Sequence, residues 1–233
     1  MSEFRFKQFS VKNEASAMKV GTDAVLLGAA MTLRPSDRSL LDIGTGTGVI
    51  ALMAAQRLAA PSFRIEAIDI DPASAAEAAE NFAASPWSTH LRAHCTPLSH
   101  YCADGFDVIF SNPPYYDSSL KNPDARESAA RHTETLSYRE LCAFAEAHLK
   151  PEGRLSLILP ADCEKDLLRT AASFGLYPFR LLRIRTTPAK PVSRLIAEFS
   201  RTRTRPEATE LTLMDPAGSR SPEYVSLTEG FYL

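Results

Sequence analysis

The chain has 233 residues, 45% hydrophobic and 23% charged, which is long enough for one large core and short for two. No stretch approaches the roughly eighteen consecutive apolar residues of a membrane span, and the charged start MSEFRFKQFS lacks the apolar run of a signal peptide, so a soluble, cytosolic protein is expected. The net charge of -2 conceals an asymmetry: between Arg180 and Arg205 eight basic residues face Glu198 alone, a local +7 that leaves -9 on the rest. A basic stretch on an acidic protein suits contact with a phosphate backbone, and equally a solvated face.

In chain order, an N-terminal arm leads into a helix over Thr22 to Leu33, with Thr22 or Asp23 as its cap. Short apolar runs at Leu40 to Ile43, Ile65 to Ile70, Phe106 to Phe110 and Leu155 to Leu159 then alternate with helical stretches. The helices are expected at Gly48 to Ala59, Pro72 to Ala84, Tyr138 to Leu149 and Asp162 to Ser173. A weaker strand is expected near Leu91. This alternation predicts an α/β Rossmann-like fold with a mostly parallel, seven-stranded sheet and helices on both faces. Tyr177 to Arg185 and Ser193 to Ser200, joined by TTPAKP, predict an antiparallel edge. Two further strand-like segments, Glu210 to Met214 and Tyr224 to Leu227, are expected at the sheet edge or across it. The organisation expected is a single domain: arm and first helix over 1–36, core over 37–205 and extension over 206–233. Between Tyr115 and Thr135 no element is evident, and a polar loop of that length is usually functional or disordered.

Four cysteines (Cys95, Cys102, Cys142, Cys163) form no C-x-x-C pair, and the five histidines form no H-E-x-x-H motif, so neither a disulfide framework nor a metal site is expected. The chemistry lies elsewhere. Asp42-Ile43-Gly44-Thr45-Gly46-Thr47-Gly48 runs from a predicted strand directly into a helix, where open parallel sheets bind ligands. Its G-x-G-x-G spacing is neither the dinucleotide fingerprint nor a P-loop, which argues against NAD and ATP. Asp69 stands twenty-five residues beyond Gly44, at the end of the second strand, where a carboxylate can accept from ribose hydroxyls. Asp71 precedes a helix-opening proline and is read as a cap.

This pair resembles motifs I and II of class I S-adenosylmethionine-dependent methyltransferases. The resemblance implies S-adenosylmethionine as cofactor and S-adenosylhomocysteine as product, with Asp42, Gly44, Gly46 and Gly48 lining the cofactor and Asp69 on its ribose. After the third clear strand comes Ser111-Asn112-Pro113-Pro114-Tyr115. An exocyclic aromatic amine is a poor nucleophile, so it needs acceptors for both N–H hydrogens that leave its lone pair aimed at the methyl group. The Asn112 amide oxygen and the Pro113 carbonyl can be those acceptors, and Tyr115 can stack on a planar acceptor ring. NPPY is similar to motif IV of amino-methyltransferases that act on adenine, cytosine or a glutamine amide, and does not by itself choose among them.

The arm FRFKQF, Ala17-Met18-Lys19-Val20-Gly21-Thr22-Asp23-Ala24-Val25-Leu26-Leu27-Gly28, Ala130-Arg131-His132-Thr133, Lys190-Pro191-Val192-Ser193-Arg194 and the ending Leu227-Thr228-Glu229-Gly230-Phe231-Tyr232-Leu233 resemble the bacterial tRNA1(Val) adenine-37 N6-methyltransferase family. By that resemblance Lys19, Gly21 and Thr22 close over the cofactor beside Asn112, tRNA is the partner, and Lys7, Arg131, Arg183, Arg185, Lys190 and Arg194 meet RNA. One departure is His94-Cys95-Thr96-Pro97-Leu98, where such enzymes often carry an aspartate for the cofactor's adenine; Thr96 or a backbone group takes that place here. The alternatives are a glutamine N5-methyltransferase of release factors, which carries a larger N-terminal domain than the 41 residues before Asp42, and an rRNA or DNA adenine N6-methyltransferase.

Overall fold

The computed structural model describes residues 3–16, 19–58, 62–114 and 136–233. The arm forms a hairpin of β1 (Glu3–Arg5) and β2 (Ser10–Lys12). Then follow α1 (Thr22–Ala30), β3 (Ser39–Ile43), α2 (Val49–Arg57), β4 (Arg64–Asp69), α3 (Pro72–Ala83), β5 (Leu91–Cys95) and β6 (Phe106–Ser111). After residues 115–135 come α4 (Tyr138–His148), β7 (Leu149–Pro160), α5 (Glu164–Ser173), β8 (Tyr177–Arg185), β9 (Arg194–Ser200), β10 (Glu207–Thr212) and α6 (Pro222–Thr228).

The main sheet has the order β10-β8-β9-β7-β6-β3-β4-β5. Only β9 runs against its neighbours, inserted between β7 and β8, which places the antiparallel pairing at the predicted end of the sheet. Among the described residues this sheet has eight strands: to the seven expected, Glu207–Thr212 adds in parallel beside β8 as the outermost strand, overlapping the segment Glu210 to Met214 expected at the sheet edge. The central strands are buried on both faces, so they read as continuous apolar runs. Successive residues serve opposite sides: Leu40, Val108 and Phe110 pack with α1, α2 and α3, whereas Leu41 and Ile109 pack with α4 and α5.

Two local expectations are corrected. Tyr224 to Leu227 is helical, within α6: Ser221 caps it by accepting from the Tyr224 N–H, and Pro222 opens it, a start signal that outweighs the strand-like YVSL. The cap of α1 is Gly21, with no side-chain bond from Thr22 or Asp23. The arm is a hairpin, held by Phe4, Phe6 and Phe9 stacking with one another, with Tyr232 and against Trp87. Among the described residues no helix is long and apolar enough to cross a membrane.

Two ion pairs join the loop before β3 and strand β9 to the core. Arg154 on β7 donates to Asp37 at 2.6 Å, both side chains being almost wholly buried. Glu198 on β9 is fully buried and accepts from Arg180, the Thr32 amide and hydroxyl, and the Ser156 hydroxyl. A buried guanidinium stripped of its carboxylate cannot recover its hydration. Asp37→Ala is therefore expected to lower unfolding free energy by about 3–5 kcal/mol, measured by urea denaturation.

Candidate active site at the carboxyl ends of the central strands

β3, β4 and β6 end side by side, and everything that follows is built on that junction. Beyond Ile43 the chain turns through Gly44, Gly46 and Gly48, with φ of 71°, 54° and 81°, conformations that L side chains rarely adopt. At Gly48 a Cβ would also lie 2.5 Å from the Phe82 ring. The amides of Gly44 and Thr45 donate to the Ile68 carbonyl, which straps the turn to β4.

Asp42 is fully buried beneath this turn. Its Oδ2 accepts from the Thr45 hydroxyl at 2.8 Å, while Oδ1 has no hydrogen-bond partner among the described residues. Burial pushes its pKa up to about 7; the Thr45 hydroxyl opposes the shift, the Asp69 charge adds to it, and the Ala51 amide dipole opposes it. Asp69 ends β4, accepting from the Gly46 amide on Oδ2 and the Asp71 amide on Oδ1, both at 2.9 Å. Burial raises its pKa too, against the pull of these amides. Each carboxylate oxygen retains capacity for a further donor. Asp71 caps α3 by accepting from the Ser74 amide and hydroxyl, so it works as the predicted cap.

At the end of β6 the Ser111 hydroxyl donates to the Ile43 carbonyl at 2.7 Å, fastening the next residues against the glycine turn. Asn112 is 7% exposed, Pro113 is buried and Pro114 is exposed. Tyr115 and Arg131 lie outside the described residues. Leu136, the first described residue after them, is beside Gly44. Thr96 is placed next to Asp69, its amide donating to the Asp69 carbonyl at 2.9 Å, and Ile70 beside it is half exposed, an apolar surface at the mouth of the site.

Lys19 donates to the Glu14 carbonyl at 2.6 Å, and Gly21 with Thr22 begins α1. Arg194 reaches across to Asp23 in the first turn of that helix at 2.8 Å. The registers of β7, β8, β9 and β10 bring Arg183, Arg185 and Arg194 to the same end of the sheet as Asn112, with exposed Lys190 on the connection between β8 and β9. Arg183 is paired with Glu164 and Arg185 with Glu210, so part of the basic surplus read from the sequence is neutralised locally. Lys7 is not brought into this set. It donates to the Glu229 carbonyl near the C-terminal end of α2, where Gln56 holds the Gly230 carbonyl, at the opposite end of the sheet. A cavity of about 500 Å³ lined by Arg38, Arg64, Gly105 and Lys150 also lies at that opposite end.

Sequence reasoning passed over Ser111, Glu77 and Asn81. The last two sit in the alanine-rich α3, where polar residues normally mark the solvated face, yet both are buried against the arm.

The unpaired Asp42 oxygen, the left-handed glycine turn and the Asp69 carboxylate fit a nucleoside cofactor with a charged tail. Comparison with known proteins agrees with that fit. The methyltransferase small domain model matches residues 15–171. A tRNA1(Val) (adenine(37)-N6)-methyltransferase of Bacteroides fragilis is 41% identical over 99% of this chain and 97% of its own length. A protein of the same name from Porphyromonas gingivalis is 43% identical over 98% and 94%. The crystal structure of a predicted O-methyltransferase from Agrobacterium tumefaciens shares the fold, with a TM-score of 0.68 at 15% identity, covering 90% of this chain and 96% of that one. The family model over residues 15–171 and relatives above 40% identity over nearly the whole chain show that it belongs to the tRNA1(Val) (adenine(37)-N6)-methyltransferase family of S-adenosylmethionine-dependent methyltransferases.

Proposed function

We propose that this protein transfers the methyl group of S-adenosylmethionine to N6 of adenosine 37 in tRNA1(Val), the activity named for its relatives. The observation that carries this reading is the Asn112-Pro113 turn, anchored through Ser111 directly against the glycine turn after β3. The cofactor supplies an electrophilic methyl on a sulfonium. The Asn112 amide oxygen and the Pro113 carbonyl accept the two N–H hydrogens of the adenine amine and so hold its lone pair toward the methyl group. No strong base is needed, since the amine proton becomes acidic only once the new bond has formed. Preorganised dipoles and positioning do the catalysis. Tyr115 stacks on the flipped base.

Asp69 holds the ribose hydroxyls, and the buried Asp42 carboxylate faces the cationic amino-acid tail. The amides of the glycine turn and residues Lys19, Gly21 and Thr22 complete the enclosure. Arg131, Arg183, Arg185, Lys190 and Arg194 form the surface for RNA phosphate; for Arg183 and Arg185 this means sharing or leaving Glu164 and Glu210.

The titration of Asp42 has a defined sign. Its folded-state pKa lies above the unfolded value, so its favourable contribution is present below the unfolded value and is lost as pH rises through about 7. Without cofactor, Asp42→Asn is expected to gain thermal stability relative to wild type as pH is raised from about 5 to about 8, while losing affinity for S-adenosylhomocysteine. A melting-temperature difference that does not change with pH would contradict this.

Activity is tested by offering radiolabelled S-adenosylmethionine with unmodified tRNA, DNA or a release factor, and digesting the labelled product. N6-methyladenosine in tRNA1(Val) is expected, whereas label on glutamine would overturn the assignment. Asn112→Ala is expected to lower kcat by about a hundredfold or more and to leave cofactor affinity nearly intact.

A further inference from the structure

Two polar side chains on α3 are almost sealed from solvent and take no part in the chemistry described so far: Glu77 and Asn81. They are one turn apart, on the helix face that meets the arm. The Glu77 carboxylate accepts from three consecutive amides, those of Glu14 at 2.7 Å and Ala15 at 2.8 Å on Oε1 and that of Ser16 at 2.8 Å on Oε2. Asn81 accepts from the Lys12 amide at 2.7 Å and donates to the Lys12 carbonyl at 3.1 Å, pairing with β2 as a neighbouring strand would. Its Nδ2 also donates at 2.9 Å to the carbonyl of Thr47, inside the glycine turn.

A third contact completes a closed circuit. The hydroxyls of Ser16 and Ser74 are 3.2 Å apart, Ser74 donates to Asp71, and the Asp71 amide donates to Asp69, which in turn accepts from Gly46. The arm, the ribose-binding carboxylate and the glycine turn are thereby joined by hydrogen bonds routed through one face of α3. Burying a carboxylate is costly unless it is well bonded, and three amides on one carboxylate specify the path of the arm far more tightly than apolar packing would.

We propose that Glu77 and Asn81 are positioning residues that lock residues 12–16 against the glycine turn, so that arm docking and cofactor binding strengthen each other. This rests on the reading that Lys19, Gly21 and Thr22 line the cofactor. Neither residue touches cofactor or substrate; both act through the backbone they hold. Glu77→Gln replaces one acceptor oxygen by an NH2 group facing the Ser16 amide or those of Glu14 and Ala15, and Asn81→Ala cuts the arm and the turn apart.

The test measures S-adenosylhomocysteine affinity by calorimetry for wild type, Glu77→Gln, Asn81→Ala and Thr22→Ala, with steady-state kinetics and hydrogen exchange on the full chain. Glu77→Gln and Asn81→Ala are expected to weaken binding about tenfold, within the range of ordinary coupling between sites, and to raise KM for S-adenosylmethionine more than they lower kcat. In wild type the ligand should slow exchange at the amides of Glu14 to Ser16, a readout that needs no variant to fold; no slowing there overturns the proposal. Unchanged affinity in the two α3 variants, with loss in Thr22→Ala, also overturns it and leaves the reading of the arm standing. Unchanged affinity in all three removes the reading of the arm and the proposal with it.

Discussion

Asp42, next to last in β3, has one carboxylate oxygen bonded to Thr45 and the other without a partner among the described residues, in a buried position. Desolvation disfavours its charge so strongly that the group titrates near neutrality instead of in the usual carboxylate range. A buried acid left in this state weakens the free protein and is best satisfied by a cation delivered from outside. The surrounding architecture makes that delivery possible: the left-handed glycines carry the chain over the carboxylate while leaving the backbone close to whatever binds above it. On the proposed reading, strength of cofactor binding and instability of the empty site are two expressions of one interaction.

The other parts of the site take their positions from the same junction. The Ser111 hydroxyl donates to the Ile43 carbonyl, so the Asn112-Pro113 turn is fastened to the strand that carries Asp42. Asp69 is tied to Gly46, so its carboxylate moves with the glycine turn. Methyl transfer in line demands such rigidity, because a displacement of about 1 Å between the reacting atoms costs about a hundredfold in rate. The glycine turn, the second-strand acid and the Asn-Pro-Pro turn come from three separate segments, and the parallel sheet is what makes them neighbours.

Much of this was legible because parallel sheets announce themselves through alternating runs, and because the glycine and Asn-Pro-Pro motifs fall at predicted strand ends. The first part of β7 was not: Lys150, Pro151, Glu152 and Gly153 show no apolar pattern and form an irregularity between Leu149, paired with Phe106, and Arg154, paired with Val108; the Arg154 side chain finds its buried partner in Asp37. The charge surplus after Arg180 was read as a basic face, but Arg180 turns inward to Glu198, and Arg183 and Arg185 find acids on α5 and β10. Counts along the chain cannot foresee pairings made across it. Glu77 and Asn81 were hidden for a related reason, since a buried polar residue and a solvated one look alike in an alanine-rich helix until the partner backbone is known. The aromatic arm and the Phe-Tyr-Leu ending, recognisable as signatures, prove to be one structural unit in which Phe6 stacks on Tyr232 and the Lys7 amide donates to the Phe231 carbonyl.

The most direct test of the account is a crystal structure with S-adenosylhomocysteine and adenosine bound. The prediction places the ribose hydroxyls on Asp69, the ligand's amino group next to the unpaired Asp42 oxygen, and the adenosine amine between the Asn112 amide oxygen and the Pro113 carbonyl. Ligand bound instead in the cavity lined by Arg38, Arg64 and Lys150, or an adenosine amine facing away from Asn112, would contradict the claim that the strand ends form one methyl-transfer site.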